Sequence, residues 1–101
     1  MNDKSIRVPK GKIEEFCRRW KISEFALFGS ALREDFRPDS DVDILVTFSN
    51  EAHWSLFDWI EMIAELEIIF GRKVHLLSKG SLRNPFRRHE ILRTREVVYA
   101  S

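Results

Sequence analysis

Two short segments of this chain hold residues whose types and spacing suit chemistry: Gly29-Ser30 and Asp41-Val42-Asp43. In an extended segment side chains alternate, so Asp41 and Asp43 fall on one face and Val42 on the other. Two carboxylates held side by side repel unless a cation lies between them. That pattern suits one or two Mg²⁺ ions bridging phosphate oxygens. Gly29 follows the apolar run Phe25-Ala26-Leu27-Phe28, and Ser30 begins a helical stretch. A glycine there lets backbone approach a ligand. The first N–H groups of a helix lack internal partners and favour an anion, and the Ser30 hydroxyl adds a donor. Each segment alone also has a plain reading. Gly-Ser after a strand is commonly a turn or helix cap, and a bare Asp-x-Asp is commonly a turn residue followed by an exposed strand position.

The elements that must position these groups follow from periodicity. Pro9 opens a helix over about residues 9–20, with Ile13, Phe16, Cys17 and Trp20 on one face. Phe25–Phe28 read as a buried strand. Ala31–Asp35 read as a short helix, closed by the turn Arg37-Pro38-Asp39-Ser40. Val42 to Phe48 form a second strand with the aspartates at its entrance. Residues 54–70 form a long helix stopped by Gly71. Val74, Leu76 and Leu77 form a third strand, residues 78–81 a turn, and Asn84-Pro85 opens a basic helix to about Arg93. Val97-Val98-Tyr99 is a short edge strand. Strands alternating with helices predict an α/β (α+β) fold, a small mixed sheet flanked by helices.

In helix 54–70, Trp59, Met62 and Leu66 lie off the line of Ile60, Ile63 and Phe70. Such a helix either sits deep or offers a second apolar face to a partner. Burial on every side is difficult in so short a chain. A homo- or hetero-oligomer through helix 54–70 is therefore one expectation, with Trp59 and Leu66 as its contacts. Simple core packing is the other.

Length and composition bound the rest. A chain of 101 residues, 44% hydrophobic and 33% charged, has enough apolar material for one modest core, so a single domain over 1–101 is expected. One cysteine, Cys17, excludes an intrachain disulfide framework. There is no run of the roughly 20 apolar residues that a membrane helix needs, and MNDKSIRVPK has no hydrophobic signal core, so no membrane and a cytoplasmic location are expected. The net charge is +1, but residues 21–71 carry −8 between ends of +3 and +6. An acidic middle can hold divalent cations, and basic flanks can receive phosphates. The same charges could equally pair with one another on a solvated surface. Aromatic residues are sparse among Arg83, Arg87, Arg88, Arg93 and Arg95, which argues against nucleic acid as a specific ligand. No zinc spacing, P-loop or dinucleotide fingerprint is present.

Gly29-Ser30, ten intervening residues, then Asp41-Val42-Asp43 opening a hydrophobic strand resembles the signature of the polymerase-beta-like nucleotidyltransferases. The small size and the stretch Arg37-Pro38-Asp39-Ser40-Asp41-Val42-Asp43-Ile44-Leu45-Val46 are similar to the minimal nucleotidyltransferases of prokaryotes. The likeness continues through Phe70-Gly71-Arg72-Lys73-Val74 and Asn84-Pro85 to Val97-Val98-Tyr99. The resemblance implies an enzyme that takes a nucleoside triphosphate, with ATP as substrate and Mg²⁺ as cofactor, and transfers AMP to a hydroxyl. It implies an antitoxin role as well, with a tyrosine of a HEPN-domain toxin as acceptor. Carried to this sequence, Gly29 and Ser30 hold the triphosphate and Asp41 and Asp43 carry the metal. Arg33 and Arg37 are near enough in sequence to reach phosphates, or serve as surface charges.

One position departs from that pattern. The strand after the long helix usually carries a third carboxylate, and here it reads Lys73-Val74-His75-Leu76-Leu77. Alternation turns His75 away from Val74 and Leu76, toward Asp41 and Asp43. An imidazole can act as a base near neutral pH but lacks the negative charge that Mg²⁺ prefers. Either His75 is a third catalytic residue, or the chain turns over weakly and neutralises its partner by binding. An ordinary surface histidine is the remaining reading. A stand-alone transferase acting on a small molecule would need an acceptor domain for which there is little room.

Overall fold

The computed structural model describes residues 8–29, 41–49 and 53–101. The sequence reading of a short helix at 31–35 and of the turn at 37–40 lies outside them, as do Ser30, Arg33 and Arg37.

The described elements run α1 (Lys10–Arg19), β1 (Ile22–Phe28), β2 (Val42–Phe48), α2 (Leu56–Phe70), β3 (Val74–Ser78), a 3-10 turn (Lys79–Ser81), α3 (Pro85–Thr94) and β4 (Glu96–Ala100). Among the described residues the strands make one mixed sheet in the order β3-β2-β1-β4. β1 pairs antiparallel with both β2 and β4, while β2 and β3 are parallel. A parallel pair needs a long crossover, and α2 supplies it.

The helices cover both faces. On one, Ile13, Phe16 and Cys17 of α1 and Met62 and Leu66 of α2 join Phe25, Leu27, Val42, Ile44, Val46, Val74 and Leu76 in the main core. On the other, Ile91 of α3 packs with Phe28 and Leu45, beside Leu77, Leu82 and Leu92. Ile22 and Phe25 reach the same core although three residues apart. A register shift between Ile22 and Glu24 accounts for this, since a bulge resets the alternation. β1 begins earlier than its apolar run, because Ser23 Oγ donates to Thr47 O at 3.1 Å and Glu24 accepts from Arg95 Nε at 2.8 Å.

Helix ends follow local chemistry. Gly71 caps α2 at φ +71, the left-handed conformation that glycine adopts without penalty. At its start, Ser55 accepts from Asp58 N, and the Asp58 side chain accepts from Ser55 N, a capping box. This places Trp54 outside the helix, where its Nε1 donates to Trp20 O at 3.0 Å and its ring meets Trp20 edge-on at 5.1 Å. Asn84 Oδ1 accepts from Phe86 N and Arg87 N ahead of Pro85, which fixes the start of α3.

The orientation of α2 corrects the sequence reading. Leu66 is fully buried, and the half-buried Trp59 packs against Phe48 at 6.3 Å between ring centroids. The side that faces solvent carries Phe57, Ile60 and Ile68 instead. No helix among the described residues is long and apolar enough to cross a membrane.

Candidate active site

The parallel register of β2 and β3 aligns Asp43 with His75, and the antiparallel register of β1 and β2 aligns Asp43 with Phe28. Three strands thus converge on Asp43. Val42, fully buried, faces the main core, as do Val74 and Leu76. Alternation sends Asp43 and His75 to the opposite face, the one carrying α3.

His75 Nδ1 lies 3.3 Å from Asp43 Oδ1, and an Nδ1–H donates to that carboxylate. The Asp43 side chain is 18% exposed and that of His75 52%. Asp43 is thus half sheltered, and the imidazole forms the wet wall beside it. Asp41 is exposed one residue before β2, separated from Asp43 by the buried Val42.

The other carboxylate oxygen fixes the glycine. Gly29 follows β1 at φ +60, and a β-carbon there would stand 2.7 Å from Asp43 Oδ2. Real β-carbons do not come so close, so the residue at the end of β1 is glycine for two reasons, its backbone conformation and the carboxylate against it. The structure therefore brings Gly29, Asp43 and His75 together, with Asp41 adjacent along the chain.

Among the described residues no group of three or more His, Cys, Asp or Glu side chains is arranged to enclose a metal ion. Mg²⁺ does not need such a cage. It keeps several waters and is commonly held by one or two carboxylates together with the phosphates of a substrate. Asp41 and Asp43 fit that donor set.

The family model of the nucleotidyltransferase domain matches residues 10–98. The chain belongs to that family. It is 40% identical over 86 residues to the protein adenylyltransferase MntA of Thermococcus cleftensis, covering 85% of this chain and 82% of that one. A solved structure described as a minimal nucleotidyltransferase superposes with a TM-score of 0.71 at 30% identity, covering 86% of each chain. The complex of tri-AMPylated Shewanella oneidensis HEPN toxin with its MNT antitoxin matches with a TM-score of 0.64 at 18% identity, over 91% of this chain and 70% of that one. This last likeness is one of fold.

Proposed function

We propose that this chain is an antitoxin that transfers AMP from ATP to a hydroxyl, a tyrosine of a HEPN-type toxin. The observation that carries the proposal is the convergence of Gly29, Asp43 and His75 at one sheet corner in a chain of the nucleotidyltransferase family. Relatives named as adenylyltransferases and an AMP-bearing toxin complex of like fold support this choice of donor and acceptor class.

Each residue has a role in this reading. Gly29 leaves room for the triphosphate, and Ser30 donates to a phosphate oxygen. Arg33 and Arg37 pair with the phosphates. Asp41 and Asp43 hold Mg²⁺, which when bound offsets the charge that builds on the phosphates. His75, oriented by its contact with Asp43, presents Nε2 as the base. The acceptor hydroxyl gives its proton to Nε2, its oxygen forms a bond to the α-phosphorus, and the bond to the β-phosphate oxygen breaks. Pyrophosphate leaves, and AMP stays on the acceptor. A carboxylate holding an imidazole in one tautomer is a recurrent way to prepare such a base.

The test is incubation of the chain with α-labelled ATP, Mg²⁺ and a HEPN-domain toxin, read by label on that protein and by its mass shift. One AMP per acceptor site is expected, with Asp43→Asn reducing transfer by about 10²–10³-fold, the usual range for losing one group that stabilises transition-state charge. Equal labelling by Asp43→Asn overturns the assignment.

A further inference from the structure

Four arginines among the described residues each pair with a glutamate: Arg18 with Glu14, Arg19 with Glu65, Arg93 with Glu90 and Arg95 with Glu24. The stretch 79–88 departs from that habit. The side chains of Lys79, Arg83 and Arg87 have no partner among the described residues. The Arg88 side chain donates only to a main-chain oxygen, from Nη1 to Lys79 O at 3.1 Å. That bond holds the guanidinium beside Lys79 and leaves its other N–H groups unused.

Lys79 and Arg88, both half-buried, border a hollow of about 400 Å³ at the C-terminal ends of β2 and β3. Thr47, Phe48, Ser78 and Gly80 line it as well, and no carboxylate does. In the groove between α1 and α2, by contrast, Lys12, Arg18 and Arg19 stand with Glu15 and Glu65. The Thr47 and Ser78 hydroxyls make no hydrogen bond to a described residue. A β-carbon on Gly80 would meet nothing within 4 Å, so the hollow is open on that side. Two cations brought together without a counter-charge repel, and an anion between them relieves that cost.

The fittings indicate which anion. A phosphate ester carries up to two charges and several acceptor oxygens, which matches an ammonium, a guanidinium fork and two hydroxyls. A carboxylate brings one charge, and a halide has no shape for the fork to recognise. Phe48 adds an apolar wall for the organic part of the ester. We infer that this pocket is a phosphate-ester site, separate from the triphosphate site at the transfer corner. Thr47 lies four residues beyond Asp43 in β2, about 13 Å at ~3.3 Å per residue, farther than the phosphates of one triphosphate extend. A free nucleotide and an RNA phosphodiester share this chemistry.

The experiment is amide NMR of the full chain in Mg²⁺-free buffer, titrated with AMP, with a short single-stranded RNA and with chloride at matched ionic strength. The amides of Lys79 and Gly80 should shift with AMP or RNA. Lys79→Gln should weaken that binding about 10-fold, the effect of losing one charged hydrogen-bond partner. It breaks no contact of the described fold, so its melting temperature should equal that of wild type. AMP binding at least as tightly as RNA assigns the pocket to a free nucleotide, and tighter RNA assigns it to a phosphodiester; both support the site. Amides of Lys79 and Gly80 that stay in place with AMP and RNA overturn the inference. So do shifts that chloride reproduces, or that Lys79→Gln retains in full. Shifts confined to Gly29 and Asp43 overturn the second site and leave AMP transfer standing.

Discussion

The Oδ2 atom of Asp43 lies 2.7 Å from the point where a β-carbon on Gly29 would stand. Glycine and carboxylate therefore share one small volume, and a side chain at position 29 would push the carboxylate aside. Gly29→Ala should lose about 1–2 kcal/mol from the left-handed backbone alone, lowering the melting temperature by about 4–8 °C per kcal/mol. The displaced carboxylate should cost about 100-fold in transfer, as a misplacement near 1 Å does. Differential scanning calorimetry and the label assay read the two effects separately, and a variant that retains both values would show the corner to be roomy.

His75 stands directly across the parallel register from Asp43, with Nδ1 3.3 Å from its carboxylate. As the base, its replacement by alanine should slow transfer about 10²–10⁴-fold with little change in ATP affinity. His75→Asp should keep more activity than His75→Ala, because a carboxylate can take the same proton. The ranking of the two variants is the measurement; if both transfer like wild type, the imidazole takes no part.

Trp54 and Ser55 fasten the start of α2, the crossover between β2 and β3. Trp54→Phe removes the donor to Trp20 O and should destabilise the fold by about 1 kcal/mol. Ser55→Ala removes the acceptor for Asp58 N and should cost about 1 kcal/mol as well. Urea denaturation of the single and double variants tests both, and the double variant should depart from additivity because the two groups are adjacent.

Burial pushes the Cys17 thiol up to about 12 from its ordinary 9.0. Between those values the unfolded chain gives up the proton while the folded chain keeps it. The contribution of this group to stability is therefore complete below pH 9.0 and drains away as pH rises toward 12. Cys17→Ala should lose less stability than wild type as pH rises from 9.0 toward about 12, measured by urea midpoints. Parallel losses in the two chains would show that the thiol does not titrate there.

The strands were readable because their apolar runs are short and bounded. Val42 and Ile44 alternate with Asp43, and Val74 and Leu76 with His75, so the relation of Asp43 to His75 follows from two independent alternations. The start of β1 was obscured because Ser23 and Glu24 are polar, and only the partners Thr47 and Arg95 make them strand residues. The seating of α2 could not be read, since the helix is apolar on nearly every side and periodicity does not say which side meets the sheet. The cap at Ser55 and Asp58 was visible as a serine followed three residues later by an acid, and it would have placed Trp54 before the helix.

β3 is an edge strand of the described sheet, lying under α2 and bearing His75 on its other face. The imidazole thus hangs on the outermost strand, so whatever frays that border parts it from Asp43 before the interior of the sheet opens.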